Sequence, residues 1–273
     1  MNESRVFGEN EILMTPVGTT ATTPQGRSTW VRPLSTSTVA PRWSALHASA
    51  RPWDPPRVPT LVVVPHPDDE VLLAGGLIAT QRERGVDVHV IGVTDGEAGL
   101  PLRVPARDLG QVRRREQAEA LCTLGVSRLS ITRLGLPDGA VSKHESELGE
   151  RIRAMAADFP LVVAPWTNDH HADHEACGRA AVSALAGTGA TLMFGLFWAW
   201  HEVDPRVVEQ CQLVGMKVPR HVRQQRVHAI AAPRGHAAFL EKVLQGAARP
   251  AAVRPQPFAS VPQSQADGLG AQP

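Results

Sequence analysis

Two short clusters hold most of the residues in this chain that could do chemistry. The first is Pro65-His66-Pro67-Asp68-Asp69-Glu70, directly after a β-branched run. The second, about 100 residues later, is Asn168-Asp169-His170-His171-Ala172-Asp173-His174. His66 and Asp69 are three apart across an expected strand-to-helix turn, a spacing that can aim both side chains at one point. His174 adds a second imidazole. Two imidazoles and one carboxylate suit a catalytic zinc, which uses three protein ligands and keeps its fourth position for water. The plainer alternative is that Asp68 or Asp69 caps the helix that follows, as acids at helix starts do. Capping leaves the second His/Asp-dense loop unexplained.

The pattern between and around the clusters alternates strand and helix. Thr60–Val64 is a continuous run rich in β-branched residues, the mark of a strand buried on both faces. Residues 70–84 read as a helix closed by Gly85, 86–94 as a strand, and 109–124 as a helix closed by Gly125. Residues 128–134, 161–164 and 192–200 read as strands, with helices at 145–158 and 173–186. This order predicts an α/β fold: a Rossmann-like, three-layer α/β/α sandwich with a mainly parallel sheet. The carboxyl ends of parallel strands share one edge, so both clusters can converge there. No dinucleotide fingerprint accompanies the fold. Ala74-Gly75-Gly76-Leu77 falls inside a helix and Gly187-Thr188-Gly189 lacks a third glycine, so both read as packing or turn glycines.

Three segments follow from composition. Residues 1–58 are rich in Ser, Thr and Pro and read as an extension, flexible at least through Gly26. Trp30, Trp43 and Trp53 imply that part of it lies against the domain at 59–248. Residues 249–273 read as a disordered, low-complexity tail. With 28 basic and 27 acidic residues, the chain has no charge excess for neutralising nucleic-acid phosphates. The longest apolar run, Thr191–Trp200, is half of what a bilayer span needs, and Glu3, Glu9 and Glu11 sit where a signal peptide would be basic. Cys122, Cys177 and Cys211 are dispersed, which suggests reduced thiols and a cytoplasmic protein.

The HPDDE string at 66–70, joined to His171-Ala172-Asp173-His174, resembles the zinc-dependent de-N-acetylases of the LmbE/PIG-L family. The resemblance runs from about Val62 to Ala186. It implies one zinc, or another divalent ion, per chain on His66, Asp69 and His174, with Asp68 as general base and His171 stabilising the oxyanion. The chemistry agrees: a neighbouring carboxylate can take the proton of an attacking water, and a protonated His171 could donate to the developing charge. Asp173 suits an orienting role behind a ligand, and His170 a place on the rim.

Counterparts of the family's substrate loops are Thr94–Glu97, Arg113–Glu116 and Leu136–Gly139. By that resemblance Glu97, Arg113 and Asp138 are candidates for holding substrate, the last two through sugar hydroxyls. Trp198 and Trp200 alternate along an expected strand and would share a face, as core or as a stacking surface. Lys217, Arg220, Arg223 and Arg226 recur every third residue, as a solvated helix edge or as contacts for a substrate phosphate. The chain departs from the family pattern at Gly235-His236, where a Ser-Gln pair is expected. The reading is a hydrolase that removes an acetyl group from the nitrogen of a small amino sugar conjugate. The alternatives are a metal-dependent hydrolase of another amide or an ester, and a noncatalytic sugar- or metal-binding module.

Overall fold

The computed structural model describes residues 10–16, 50–99, 106–199, 211–231 and 258–261. Its strands are β1 (Asn10–Pro16), β2 (Arg51–Pro52), β3 (Thr60–Val64), β4 (Val88–Gly92), β5 (Ile131–Arg133), β6 (Leu161–Pro165), β7 (Thr191–Gly195), β8 (Cys211–Lys217) and β9 (Phe258–Val261). The helices are α1 (Asp69–Glu83), α2 (Ala106–Thr123), α3 (Glu145–Ala156), α4 (Ala172–Leu185) and α5 (Arg220–Ala231). One sheet runs in the order β2-β8-β1-β9-β7-β6-β3-β4-β5. The five strands from β7 to β5 are parallel, with Val62 opposite both Val90 and Val163.

Period-two alternation splits the core into two layers. Leu61 and Val63 face α3 and α4, packing with Leu148, Ile152, Ala176 and Ala180. Val62 and Val64 face the other way, toward Leu73, Leu77 and Ile78 of α1, Leu121 of α2 and Val222 of α5. With both faces covered, the sheet's central strands must be almost wholly apolar, as β3 beyond Thr60 and β6 are. The chain winds outward from β3 through β4 to β5, then returns to place β6 on β3's other side. The crevice at this reversal lies between the carboxyl ends of β3 and β6, the two strands that carry the clusters. Among the described residues, no helix is long and apolar enough to cross a membrane.

The structure differs from expectation at four places. Three strands come from the flanking segments: β1 from the stretch expected to be flexible, β2 from the part expected to lie against the domain, and β9 from the expected tail. Beyond β7 the sheet would otherwise end in unpaired backbone groups, and any extended segment can satisfy them. Apart from residues 50–58, the remaining residues of those segments, Trp30 and Trp43 among them, lie outside the described residues. Trp53 packs on the α1 layer and donates its backbone N–H to Gly215. The strand expected over 192–200 stops at Gly195, and Trp198 sits in a helical turn beyond it. Trp200 lies outside the described residues. Arg226 is neither solvated nor free for a phosphate. It is buried, and donates to the carbonyls of Val71 and Leu72 at 3.0 and 2.8 Å. Gly75 makes room for it, since a Cβ there would sit 3.1 Å from Arg226 Cγ.

Gly178 sets the seat of α4. A Cβ at this buried position would meet the Pro165 carbonyl at 2.6 Å and Thr167 N at 3.0 Å, both backbone atoms at the end of β6. Gly178→Ala should therefore destabilise the fold by about 1–3 kcal/mol, despite the better helix propensity of alanine. Urea melts of the two proteins check this. Equal midpoints would mean that α4 can shift without cost.

Candidate metal centre and active site

The turn after β3 is held in a strained shape. Asp68 has φ 112°, a conformation that costs a non-glycine residue roughly 1–3 kcal/mol. Three contacts impose it. The Asp68 N–H donates to Glu70 Oε2 at 3.2 Å. Arg113 Nη2 donates to the Pro67 carbonyl at 2.9 Å and reaches Asp68 Oδ2 at 3.4 Å, while its Nη1 donates to Gly96. The Thr94 hydroxyl and N–H both donate to the Pro65 carbonyl. The result turns the two adjacent carboxylates in different directions.

Asp69 points inward and gathers the imidazoles. Its Oδ2 accepts the His66 N–H at 3.0 Å, lies 3.1 Å from His66 Nδ1, and lies 3.3 Å from His174 Nε2. One donor atom each from His66, Asp69 and His174 fall within 4.8 Å of one another. His66, His171 and Asp173 form a second such group. Asp173, however, is already engaged: it accepts the N–H groups of Gly139 at 2.8 Å and Val141 at 3.1 Å, and sits 3.2 Å from His66 Nε2. The first group is the better cation site.

Two observations fit a cation there. His174 Nε2 is fully buried and close to Asp69, yet not aligned for a hydrogen bond, so it is left without a partner. A buried orphan nitrogen is costly unless something binds it. The charge balance points the same way. Burial pulls His66 down, but Asp138, Asp173 and Asp69 outweigh it and hold the ring well above its usual value. Burial likewise opposes a charged His174, yet Asp69 and Asp169 raise it to about 9. Without an ion, protons supply the positive charge that this carboxylate-rich cluster demands. A divalent cation would release them on binding.

His174 is oriented from behind. Its Nδ1 lies 2.8 Å from Asp169 Oδ2, and Asp169 Oδ1 accepts the N–H groups of Phe197 at 2.9 Å and Ala199 at 3.0 Å. Both side chains are fully buried. A proton on Nδ1 leaves the Nε2 lone pair facing Asp69, the tautomer a metal ligand needs. Sequence reasoning gave Asp169 no role. The available signal was a carboxylate five residues before a candidate ligand histidine.

The remaining expected residues fall around this centre. His171 caps α4, its Nδ1 accepting the Asp173 N–H at 3.3 Å. Its ring lies 4.9 Å from both His66 and His174 and stacks on Trp198 at 6.0 Å. Burial, reinforced by the charges on His174 and His66, lowers His171 to about 4. With Nδ1 accepting the Asp173 N–H, a neutral ring carries its proton on Nε2 and can donate from there without the extra charge that the sequence suggested. Asp138 lies 3.2 Å from His66 Nε2 and accepts the Ala98 N–H, while Glu97 accepts the Asp138 N–H. Arg113, expected at sugar hydroxyls, is buried and turned onto the loop carbonyls, because its planar fork satisfies two of them at once. His170 is exposed at φ 61° on the rim.

Glu70 was also given no role by sequence. It is fully buried, takes Gln117 Nε2 at 2.9 Å, and has one oxygen without a partner. Burial pushes it up from 4.5 to about 8. A carboxyl raised in the folded state favours folding fully below its ordinary value and loses that contribution as pH rises toward 8. In chelated protein, Glu70→Gln should therefore flatten the decline in stability between pH 5 and 8. The full effect is on the order of 4 kcal/mol. Denaturant melts at the two pH values measure it; parallel declines in both proteins would show that Glu70 ionises freely.

Residues 61–185 match the family model described as PIG-L, GlcNAc-PI de-N-acetylase. The chain is 32% identical over 133 residues to a probable N-acetyl-alpha-D-glucosaminyl L-malate deacetylase 2 of Bacillus subtilis, covering 46% of this chain and 59% of that one. It is 40% identical over 168 residues to a 1D-myo-inositol 2-acetamido-2-deoxy-alpha-D-glucopyranoside deacetylase of Corynebacterium kroppenstedtii, covering 50% and 43%. The chain thus spans about half the length of the curated relatives it matches. N,N'-diacetylchitobiose deacetylase from Pyrococcus horikoshii superposes with a TM-score of 0.53 at 20% identity, over 76% of this chain and 84% of that one, a likeness of fold. Residues 61–185, the stretch that holds both clusters, are thus the part of the chain that is similar to PIG-L-type de-N-acetylases.

Proposed function

We propose that the protein is a zinc-dependent hydrolase that removes the N-acetyl group from a small amino sugar conjugate, such as an N-acetylglucosamine derivative. The observation that carries this reading is the division of labour in one turn: Asp69 joins His66 and His174, while strain at Asp68 keeps its carboxylate out of that group. When bound, a zinc ion would polarise the amide carbonyl and lower the pKa of a water to roughly 7. Asp68 is suited to take the proton of that water. Burial, opposed by Arg113 and aided by Asp69, raises it to about 6, near the pH at which a base works best. It can then pass the proton to the departing amine. His171 Nε2–H, fixed by the contact at Nδ1 and backed by Trp198, is a donor for the developing oxyanion. The exposed free Cys122 and buried free Cys177 accord with a reducing compartment, and we propose the cytoplasm.

Acetate release from N-acetylglucosaminyl malate, N-acetylglucosaminyl inositol and diacetylchitobiose tests the activity. At least one should be turned over, with loss on chelation and recovery with zinc. If the zinc-loaded protein binds these sugars but releases no acetate, it is a binding module. If it hydrolyses only simple esters, the bond is misassigned.

A further inference from the structure

The structure assigns a second ligand site to this domain, away from the metal cluster: a groove for a phosphate-type oxyanion on the outer side of β5. The groove has a volume of about 410 Å³ and is lined by Gln111, Arg114, Arg115, Arg128, Ile131 and Arg133. Its construction is regular. Residues 111, 114 and 115 lie one turn apart on a single face of α2. Ile131 and Arg133, two apart on β5, point to the same side of the sheet. Arg128 comes from the short turn that leads into β5.

Four guanidiniums thus share one concavity, and no acidic residue lines it. Arginine cannot shed its charge, so the repulsion has to be met by a counter-charge. Only part of that is internal. Arg114 Nη1 donates to Asp95 at 2.7 Å, and Arg133 is held by the Gln117 side chain and the Arg114 carbonyl. These bonds fix two of the forks in place before any ligand arrives. Arg115 and Arg128 have no carboxylate partner among the described residues. Two forks fixed in place beside two exposed ones without a carboxylate partner suit a tetrahedral oxyanion that takes paired N–H donors from several sides. The volume exceeds what a lone phosphate needs, so the group it would carry is a small polar skeleton.

Calorimetric titration of the full, zinc-loaded chain with inorganic phosphate and with glucose 6-phosphate tests the assignment, with glucose as control. Both phosphates should bind saturably, and glucose should not. Tighter binding of the ester would identify the natural ligand as a phosphorylated small molecule; equal binding would identify it as the free anion. Arg115→Gln combined with Arg128→Gln alters two exposed side chains and should leave the thermal melt unchanged. It should weaken both phosphates by about tenfold or more. Phosphate held at the metal cluster would be indifferent to this variant. Absence of saturable binding, or equal affinity in the double variant, would overturn the proposal.

Discussion

Asp68→Asn is expected to keep its metal and lose turnover by about 10²–10⁴-fold, the usual worth of a positioned general base. The structure gives the reason in the backbone. Asp68 and Asp69 are adjacent, but φ 112° at Asp68 turns one carboxylate toward Arg113 while the other meets His66 and His174. Asparagine fills the same space, still accepts from Arg113 and cannot take a proton. The pH profile gives an independent check. With Asp68 raised to about 6 by burial, activity should fall as pH drops through that value, and the residual activity of the variant should not show this limb. Asp69→Asn should behave in the opposite way, losing the ion first and recovering in part with added zinc. Metal analysis beside turnover decides it: an Asp68→Asn protein without metal, beside an Asp69→Asn protein that retains it, would reverse the two roles.

Asp169→Asn should lower metal affinity by about 10–100-fold although residue 169 touches no ion. Asp169 has both oxygens committed, one to His174 Nδ1 and one to the N–H groups of Phe197 and Ala199. An asparagine can keep only one of these arrangements. If its oxygen serves the backbone, its amide faces Nδ1 and drives the His174 proton onto Nε2, blocking the lone pair a ligand needs. If it serves His174, two buried N–H groups lose their acceptor, at about 1–3 kcal/mol each. Either way the folded, metal-loaded state suffers. Competition with a chelator and a thermal melt, run on the same protein, separate the two losses. An unchanged metal affinity together with an unchanged melt would show that His174 is oriented by something else.

The sequence by itself determined the parallel α/β core and the two strand ends that carry the clusters. That much was legible because both signals are local. A strand buried on two faces must be apolar almost throughout, as Leu61–Val64 and Leu161–Pro165 are, and a turn that can hold a metal compresses its candidate ligands into a few residues. What only the tertiary structure decided concerns partners far apart in the chain. Arg113 looked like a partner for sugar hydroxyls, and became the clamp on the Asp68 turn because the Gly96 and Pro67 carbonyls lie beneath α2. Arg226 looked like part of a cationic stripe, and was drawn inward by the carbonyls of Val71 and Leu72 and the space left by Gly75. Asp169 and Glu70 were unremarked acids until burial removed water from around them. Their hydrogen bonds to His174 and to the Asp68 backbone then became their main interactions. Even the charge of His171 was undecidable from its motif, since burial between two other imidazoles sets it. Residue type and spacing specify what a side chain can do; the dielectric and the neighbours that folding supplies decide which of those things it does.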